Sequence, residues 1–300
     1  MAPRSTQQTK DFYVTYRRRS STMTSEDGAH LKSSWVIHLP HASTIIPAAV
    51  RPELLLSDQD LALEVLRMTD HLTDELVAAA LSTAQRVCFP VSRLVLDPER
   101  FPIDADEPMS RVGMGVIYER TSHGTLLRLP PTSAVRQKHL ETYYAPHHAA
   151  LEASVASALK QYGWCAILDM HSFPSRPLPY ELDQASDRPD ICIGTDEFHT
   201  PAPLADEFVR RFSAEALAVV RNRPFGGTIV PMRYFRNDRR VMSIMIEVNR
   251  RLYLDEATGK VGERFGHVQS MLARVLEAVV ELPTAIMMSA NASTINPNSS

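Results

Sequence analysis

The stretch Trp164-Cys165-Ala166-Ile167-Leu168-Asp169-Met170-His171-Ser172-Phe173-Pro174 constrains the fold more than any other part of the chain. A short apolar run bounded upstream by Gly163 reads as a strand buried on both faces, the kind found in largely parallel sheets covered by helices. It ends abruptly in an acid, a histidine and a serine, and Pro174 forbids simple continuation. In open α/β sheets the carboxyl ends of strands are where ligands bind. Residues two apart on a strand share a face, so Asp169 and His171 project together. That arrangement suits an imidazole that binds a metal through one nitrogen while a carboxylate fixes the rest of the ring. A strand-end histidine bonded to a carboxylate with no metal is the plainer alternative.

The flanking sequence extends the same pattern. Residues 35–39 read as the first core strand, with Pro40, His41, Ala42 and Ser43 as the turn leaving it. Residues 58–81 carry leucines and alanines at three- and four-residue spacing, which predicts one amphipathic helix or two. Residues 86–89 and 94–96 read as short strands around Pro90. The segment 98–130 is rich in Pro, Gly, Asp, Arg and Met without periodicity, as lids and binding loops are. Residues 134–162 return to a helical pattern, with a break allowed at Pro146. Beyond the 164–170 strand come a Pro-rich stretch to about 190, a strand at 191–194 and a helix at 204–218. An extended piece at 228–230, a strongly apolar strand at 241–248 and a closing helix at 262–282 complete the pattern. Alternation of strands and helices predicts an α/β sandwich around a largely parallel sheet. Residues 1–30 read as a loose polar arm, 31–285 as a single domain and 286–300 as a frayed tail.

Composition removes several functional classes. The formal charge is -3 in 300 residues, which offers no electrostatic case for nucleic acid or an anionic membrane. No apolar run approaches the ~20 residues of a transmembrane helix, and the N-terminus has no apolar signal core, so a cytoplasmic protein is expected. Cys88, Cys165 and Cys192 lack C-x-x-C spacing and read as reduced core residues. The pair Gly226-Gly227 marks a tight turn or close backbone approach but has neither Walker nor Rossmann spacing. No G-x-S-x-G elbow is present, and Ser172 beside His171 is a poor nucleophile–base pair.

Four further positions carry candidate chemistry. His41 stands just past the first strand, at the expected carboxyl edge of the sheet. His38, within that strand, reads as a core group or one supporting the site. Asp70 falls in an otherwise apolar register beside Met68 and Leu72, so a buried Asp70 needs a partner. Glu247 interrupts the run Val241 to Val248, where an unpaired carboxylate is expensive. It is placed either to act as a general base near a metal-activated water or to pair with Arg250 or Arg251. Arg93 and Arg100 flank Asp97 and could grip an acidic substrate, with Arg176 as a further substrate-binding candidate.

These residues, in this order, resemble the N-formylglutamate amidohydrolase family over roughly residues 35 to 255. The likeness rests on Pro40-His41, Thr69-Asp70, Ser92-Arg93-Leu94-Val95-Leu96-Asp97 with Arg100, Asp169-Met170-His171-Ser172, Gly226-Gly227-Thr228-Ile229 and Ile246-Glu247. It implies a three-layer fold like that of the zinc carboxypeptidases, with a mixed, largely parallel sheet of about eight strands between helices. It also implies one zinc ion per chain, held by His41, His171 and a carboxylate, with Glu247 as the base. One arginine would stabilise the developing oxyanion, with Arg93 counted among the catalytic candidates, and Arg93 and Arg100 would clamp the carboxylates of the substrate. The chain departs from the carboxypeptidase pattern in having Thr44, not glutamate, three residues after the first histidine; Asp70 is assigned as the third ligand. The implied partner is a small acidic N-acyl amino acid, with N-formyl-L-glutamate first. A peptidase or amidase of other specificity on the same scaffold, or a metal-binding protein without catalysis, are the competing readings.

Overall fold

The computed structural model describes residues 33–281, so the expected N-terminal arm and C-terminal tail lie outside the described residues. Its centre is a six-stranded sheet in the order β2-β1-β3-β6-β4-β5. The strands are β1 (Trp35–Leu39), β2 (Gln85–Cys88), β3 (Cys165–Phe173), β4 (Ile191–Gly194), β5 (Val219–Arg221) and β6 (Val241–Asn249). β2, β1, β3 and β6 run parallel, while β4 pairs antiparallel with β6 and parallel with β5. Six strands stand in this sheet where about eight were expected. The other two, β7 (Leu254–Asp255) and β8 (Lys260–Val261), form a separate antiparallel pair.

The helices are α1 (Asp58–Met68), α2 (Thr73–Leu76), α3 (Ser133–His139), α4 (Ala145–Tyr162), α5 (Ala202–Ala214) and α6 (Phe265–Val280). Alternation along the strands decides which of them each strand residue meets. Trp35, Ile37, Leu168, Met170, Ile244 and Ile246 pack with Leu76 of α2, Phe208 of α5 and Leu272 of α6. Val36, Ile167 and Val241 pack with Leu151 and Val155 of α4. His38, Asp169, His171 and Glu247 continue the second set of positions, so the polar residues gather on the α4 side of the sheet, towards its carboxyl end. The register sets His171 opposite Glu247 and His38 opposite Asp169.

The helical pattern from 58 to 81 resolves into two helices, as one of the two expectations had it, with the break at Thr69, where Asp70 N–H donates to the His41 carbonyl at 3.0 Å. Leu72 then adopts φ 62°, a left-handed conformation costly for a bulky side chain. Other local expectations fail for identifiable reasons. Residues 94–96 form a turn closed by Val95 N–H to Ser92 O, not a strand. They are apolar because they plug two satellite clusters beneath the site loop. Residues 228–230, expected as an extended piece, join no strand of the sheet. Ile229 N–H donates to Asp169 and its carbonyl accepts from Ser243, so side chains replace the ladder. Pro146 does not break its helix, because a π turn over Leu140–Tyr144 absorbs the mismatch before α4. Cys88 is exposed on the edge strand β2, whereas Cys165 and Cys192 are buried; all three are free thiols. Gly227 sits at φ +86°, and its carbonyl lies 2.4 Å from where a Cβ on Gly194 would be, so the glycine turn does serve a close approach. No helix among the described residues is long and apolar enough to cross a membrane.

Candidate active site

Four segments deliver the site to the carboxyl edge of the sheet. The turn after β1 brings His41, the break between α1 and α2 brings Asp70, and β3 and β6 bring His171 and Glu247. All four side chains are buried, with 2, 2, 3 and 6% exposure, and together they line a cavity of about 170 Å³.

Hydrogen bonding fixes the state of both imidazoles. His41 Nε2 lies 2.9 Å from Asp97 Oδ1, and His171 Nε2 lies 3.1 Å from Asp169 Oδ1. An ionised carboxylate only accepts, so each Nε2 carries a proton; His171 Nδ1, which also faces a carboxylate, either carries a second proton or gives its lone pair to a cation. Those two Nδ1 atoms face each other at 3.3 Å, and Asp70 Oδ2 stands 3.0 Å from one and 3.6 Å from the other. Three electron-rich atoms around one point could hold a cation. A proton on His171 satisfies one contact; a divalent metal satisfies all three. A tetrahedral centre with bonds of ~2.0–2.1 Å separates its ligand atoms by ~3.3 Å, and the three observed separations scatter around that value. The donor set therefore fits zinc, with His41 and His171 each backed by a carboxylate in the way that orients metal-bound imidazoles.

Glu99 offers a competing arrangement from the other side of the rings, 3.3 Å from His171 Nε2 and 3.6 Å from His41 Nε2. Those nitrogens are already committed to Asp97 and Asp169, so the Nδ1 side is the better seat. Nothing in the sequence singled out Glu99, although it lies between Asp97 and Arg100. Its backbone N–H donates to Asp97 Oδ1, a local turn that swings the side chain over the imidazoles.

Electrostatics keep the carboxylates charged. Burial alone would raise Asp97, but Arg93, His41 and Arg100 hold it well below the usual range. Asp70 is likewise lowered against its burial by hydrogen bonds to His171 and His41. His171 moves the other way, raised against its burial by Glu99 and Asp169. Glu247 stands apart. Burial pushes its carboxyl up to about 8, and Oε2 is buried without a hydrogen-bond partner. The arginines once available to neutralise it are engaged elsewhere: Arg250 bonds Asp70 Oδ1 at 3.1 Å and Arg251 bonds Asp190 at 2.8 Å.

The predicted arginines are divided between sites. Arg93 lines the cavity, donates to Asp97 Oδ2 at 2.7 Å and to Tyr118 Oη at 3.0 Å. Arg100 lines it too, 3.7 Å from Asp97, with its Nε buried and unpartnered. Arg176 does not join them; it is exposed and lines an adjoining cavity.

Asp169 is itself held from behind. His38 Nδ1 donates to the same oxygen at 2.8 Å, and His38 Nε2 lies 2.9 Å from His147 Nε2 on α4. With His38 Nδ1 protonated, His147 must donate to His38. Burial lowers the His147 pKa and keeps the ring neutral, as this direction requires. Loss of a partner behind a metal-binding histidine costs ~10–100-fold in metal affinity. For a metal held at His171, His38→Ala is accordingly expected to weaken its binding by about that factor in a chelator competition. His38→Asn, whose amide can replace the Nδ1–H donor, should recover most of it.

The family model of the N-formylglutamate amidohydrolases matches residues 33–254. The chain belongs to this family. Membership places it among hydrolases of amide bonds. N-formylglutamate deformylases from Pseudomonas putida and Pseudomonas aeruginosa are each 26% identical over 232 residues, covering 74% of this chain and 82% of theirs. The crystal structure of an N-formylglutamate amidohydrolase from Ralstonia eutropha JMP134 superposes with a TM-score of 0.74 at 25% identity, covering 83% of this chain and 93% of that one. A gene product of Agrobacterium tumefaciens shares the fold, with a TM-score of 0.58 at 18% identity over 85% of this chain and 92% of its own.

Proposed function

We propose that the protein hydrolyses the N-formyl amide of N-formyl-L-glutamate, releasing formate and glutamate. The observation that carries this reading is the convergence of His41 Nδ1, His171 Nδ1 and Asp70 Oδ2 beside a buried, unpaired Glu247. The named relatives supply the substrate. The alternation of strand faces, with α4 on one side and α2, α5 and α6 on the other, favours a three-layer, carboxypeptidase-like arrangement.

His41, Asp70 and His171 would hold one zinc ion, which supplies Lewis-acid polarisation of a carbonyl and acidifies water towards pKa ~7. Glu247 takes the proton of the attacking water on its carboxylate and returns it to the departing nitrogen. A carboxyl left without an arginine partner is free to do so; one locked in an ion pair is not. Arg93 donates to the developing oxyanion, an interaction worth about 3–4 kcal/mol when a single such donor is deleted. Asp97 and Tyr118 hold its guanidinium in place for that role. Arg100, with one buried N–H unspent, grips a substrate carboxylate together with Arg93.

The direct test is formate release from N-formyl-L-glutamate by zinc-loaded protein, read beside metal content. About one zinc per chain with formate release is expected; one zinc without any amide hydrolysis would favour a metal-binding protein that has lost catalysis. The clamp has its own test. Arg100→Lys loses the planar fork and is expected to raise KM for N-formylglutamate about tenfold, while N-formylglutamine, short of one carboxylate, is affected less. Equal losses for the two substrates would make Arg100 a structural companion of Asp97.

A further inference from the structure

The catalytic cavity adjoins a second one of about 180 Å³, and the two share Arg67, Pro174, Leu178 and Arg250 along their common wall. Leu66, Leu178 and Leu254 give the second cavity apolar sides. Its charged groups are unequally engaged. Arg250 is taken up by Asp70, Ser172 and the Arg67 carbonyl. Glu256 accepts the Ser175 N–H at 2.9 Å. Among the described residues the Arg67 side chain pairs only with Glu64, at 3.6 Å. Arg176 is exposed and makes no hydrogen bond or ion pair among the described residues. With Arg250 balanced by Asp70 and Arg67 held by Glu64 from outside the lining, Arg176 is the guanidinium left unpaired beside Glu256 and the apolar side chains. The chemistry such a cavity accepts is a short carbon chain ending in an anion.

We propose that this second cavity is an acyl subsite, and that the enzyme takes N-acyl amino acids whose acyl chain runs a few carbons and ends in a carboxylate. The proposal rests on the amide-hydrolase reading above and extends its substrate class. Orientation follows from the lining. Arg93 and Arg100 line the catalytic cavity but not the second one. With the amino-acid carboxylates at those arginines and the scissile amide beside Glu247, the acyl carbon is directed to the shared wall. A formyl group ends at that carbon and leaves the second cavity unused. A four-carbon diacid continues into it and brings its free carboxylate to Arg176 and Arg67. The reaction is the same hydrolysis: the amide C–N bond breaks, the oxygen of water joins the acyl carbon, and the nitrogen leaves as the amine with the proton carried by Glu247. The products are the diacid and the free amino acid.

The test is calorimetric titration of zinc-loaded Glu247→Gln protein with N-butanoyl-L-glutamate and N-succinyl-L-glutamate, which match in chain length and differ in the terminal carboxylate. A charge-assisted contact predicts about ten- to hundredfold tighter binding of the succinyl compound. Adding Arg176→Gln, a change at an exposed side chain, should remove most of that preference, and Arg67→Gln part of it. Equal binding of the two compounds, or a preference that survives both arginine substitutions, overturns the subsite. Formate release from N-formylglutamate by the unsubstituted enzyme judges the underlying reading separately. Deformylation with no succinyl preference leaves that reading standing and removes this one. A succinyl preference without deformylation does the reverse.

Discussion

Glu247→Gln is expected to lower turnover of N-formylglutamate by ~10²–10⁴-fold, the range that general acid–base catalysis supplies, while zinc content and substrate affinity stay near those of the unsubstituted enzyme. Glu247 is set opposite His171 in β6, a strand whose only other polar residues are Ser243 and the terminal Asn249. Its Oε2 has no hydrogen-bond partner and Arg250 is bound to Asp70, so the charge has no structural purpose to lose. Glutamine keeps the shape and removes the proton acceptor. Replacing a buried, unpaired carboxylate by a neutral amide should also leave the fold at least as stable, since burial already disfavours ionisation. The pH profile gives a second readout. The base works ionised, so activity rises with pH through the Glu247 pKa, which burial lifts above the ordinary glutamate value. The low-pH limb of kcat/KM is therefore expected above ~4.3, and the glutamine variant should lose that limb. Near-normal turnover would show Glu247 to be a bystander; loss of zinc would make it a ligand.

What the sequence disclosed and what it hid follow from how far each residue's environment is local. β1, β3 and β6 were legible because a strand buried on both faces must be apolar throughout, so any acid or histidine inside it stands out. Asp169, His171 and Glu247 were found that way, and His41 by its place just after such a strand. The antiparallel turn of β4 was not legible, since Ile191–Gly194 is equally apolar in either direction. The same ambiguity made strands of residues 94–96, whose leucines and valine serve loop packing. Partnerships across the chain were hidden altogether. Nothing near Arg250 shows that it neutralises Asp70, 180 residues away, nor that His147 backs His38 across 109 residues. Such pairs arise only when the sheet brings distant turns together, and they decide which carboxylate is spent and which is free.

Asp70→Asn is expected to abolish zinc binding, and Glu99→Gln to spare it. Both residues reach the paired imidazoles, Asp70 at the Nδ1 atoms and Glu99 at the Nε2 atoms. Asp97 and Asp169 fix protons on both Nε2 atoms, so only the Nδ1 atoms can turn lone pairs to a metal, which then takes the place of the proton between His171 Nδ1 and Asp70. Asparagine is the informative substitution. Alanine would leave Arg250, 5% exposed, without its carboxylate, and breaking such a buried pair costs about 3–5 kcal/mol. In Asp70→Asn the amide oxygen can still accept from Arg250, while the amide N–H₂ turns towards the two imidazole nitrogens. A donor then occupies the place where three acceptors met, so the cation is no longer needed and the fold persists. Removal of one of three ligands should weaken zinc by more than the ~10–100-fold typical of an outer partner. Thermal unfolding reads this without reference to turnover. At zinc one hundred times its Kd the unsubstituted protein gains about 2.7 kcal/mol. For a chain of this size that corresponds to a rise in Tm of about 5–10 °C. Glu99→Gln should show most of that rise and Asp70→Asn none. The opposite pattern would move the metal to the Nε2 side of the rings and hand Asp70 to Arg250 alone.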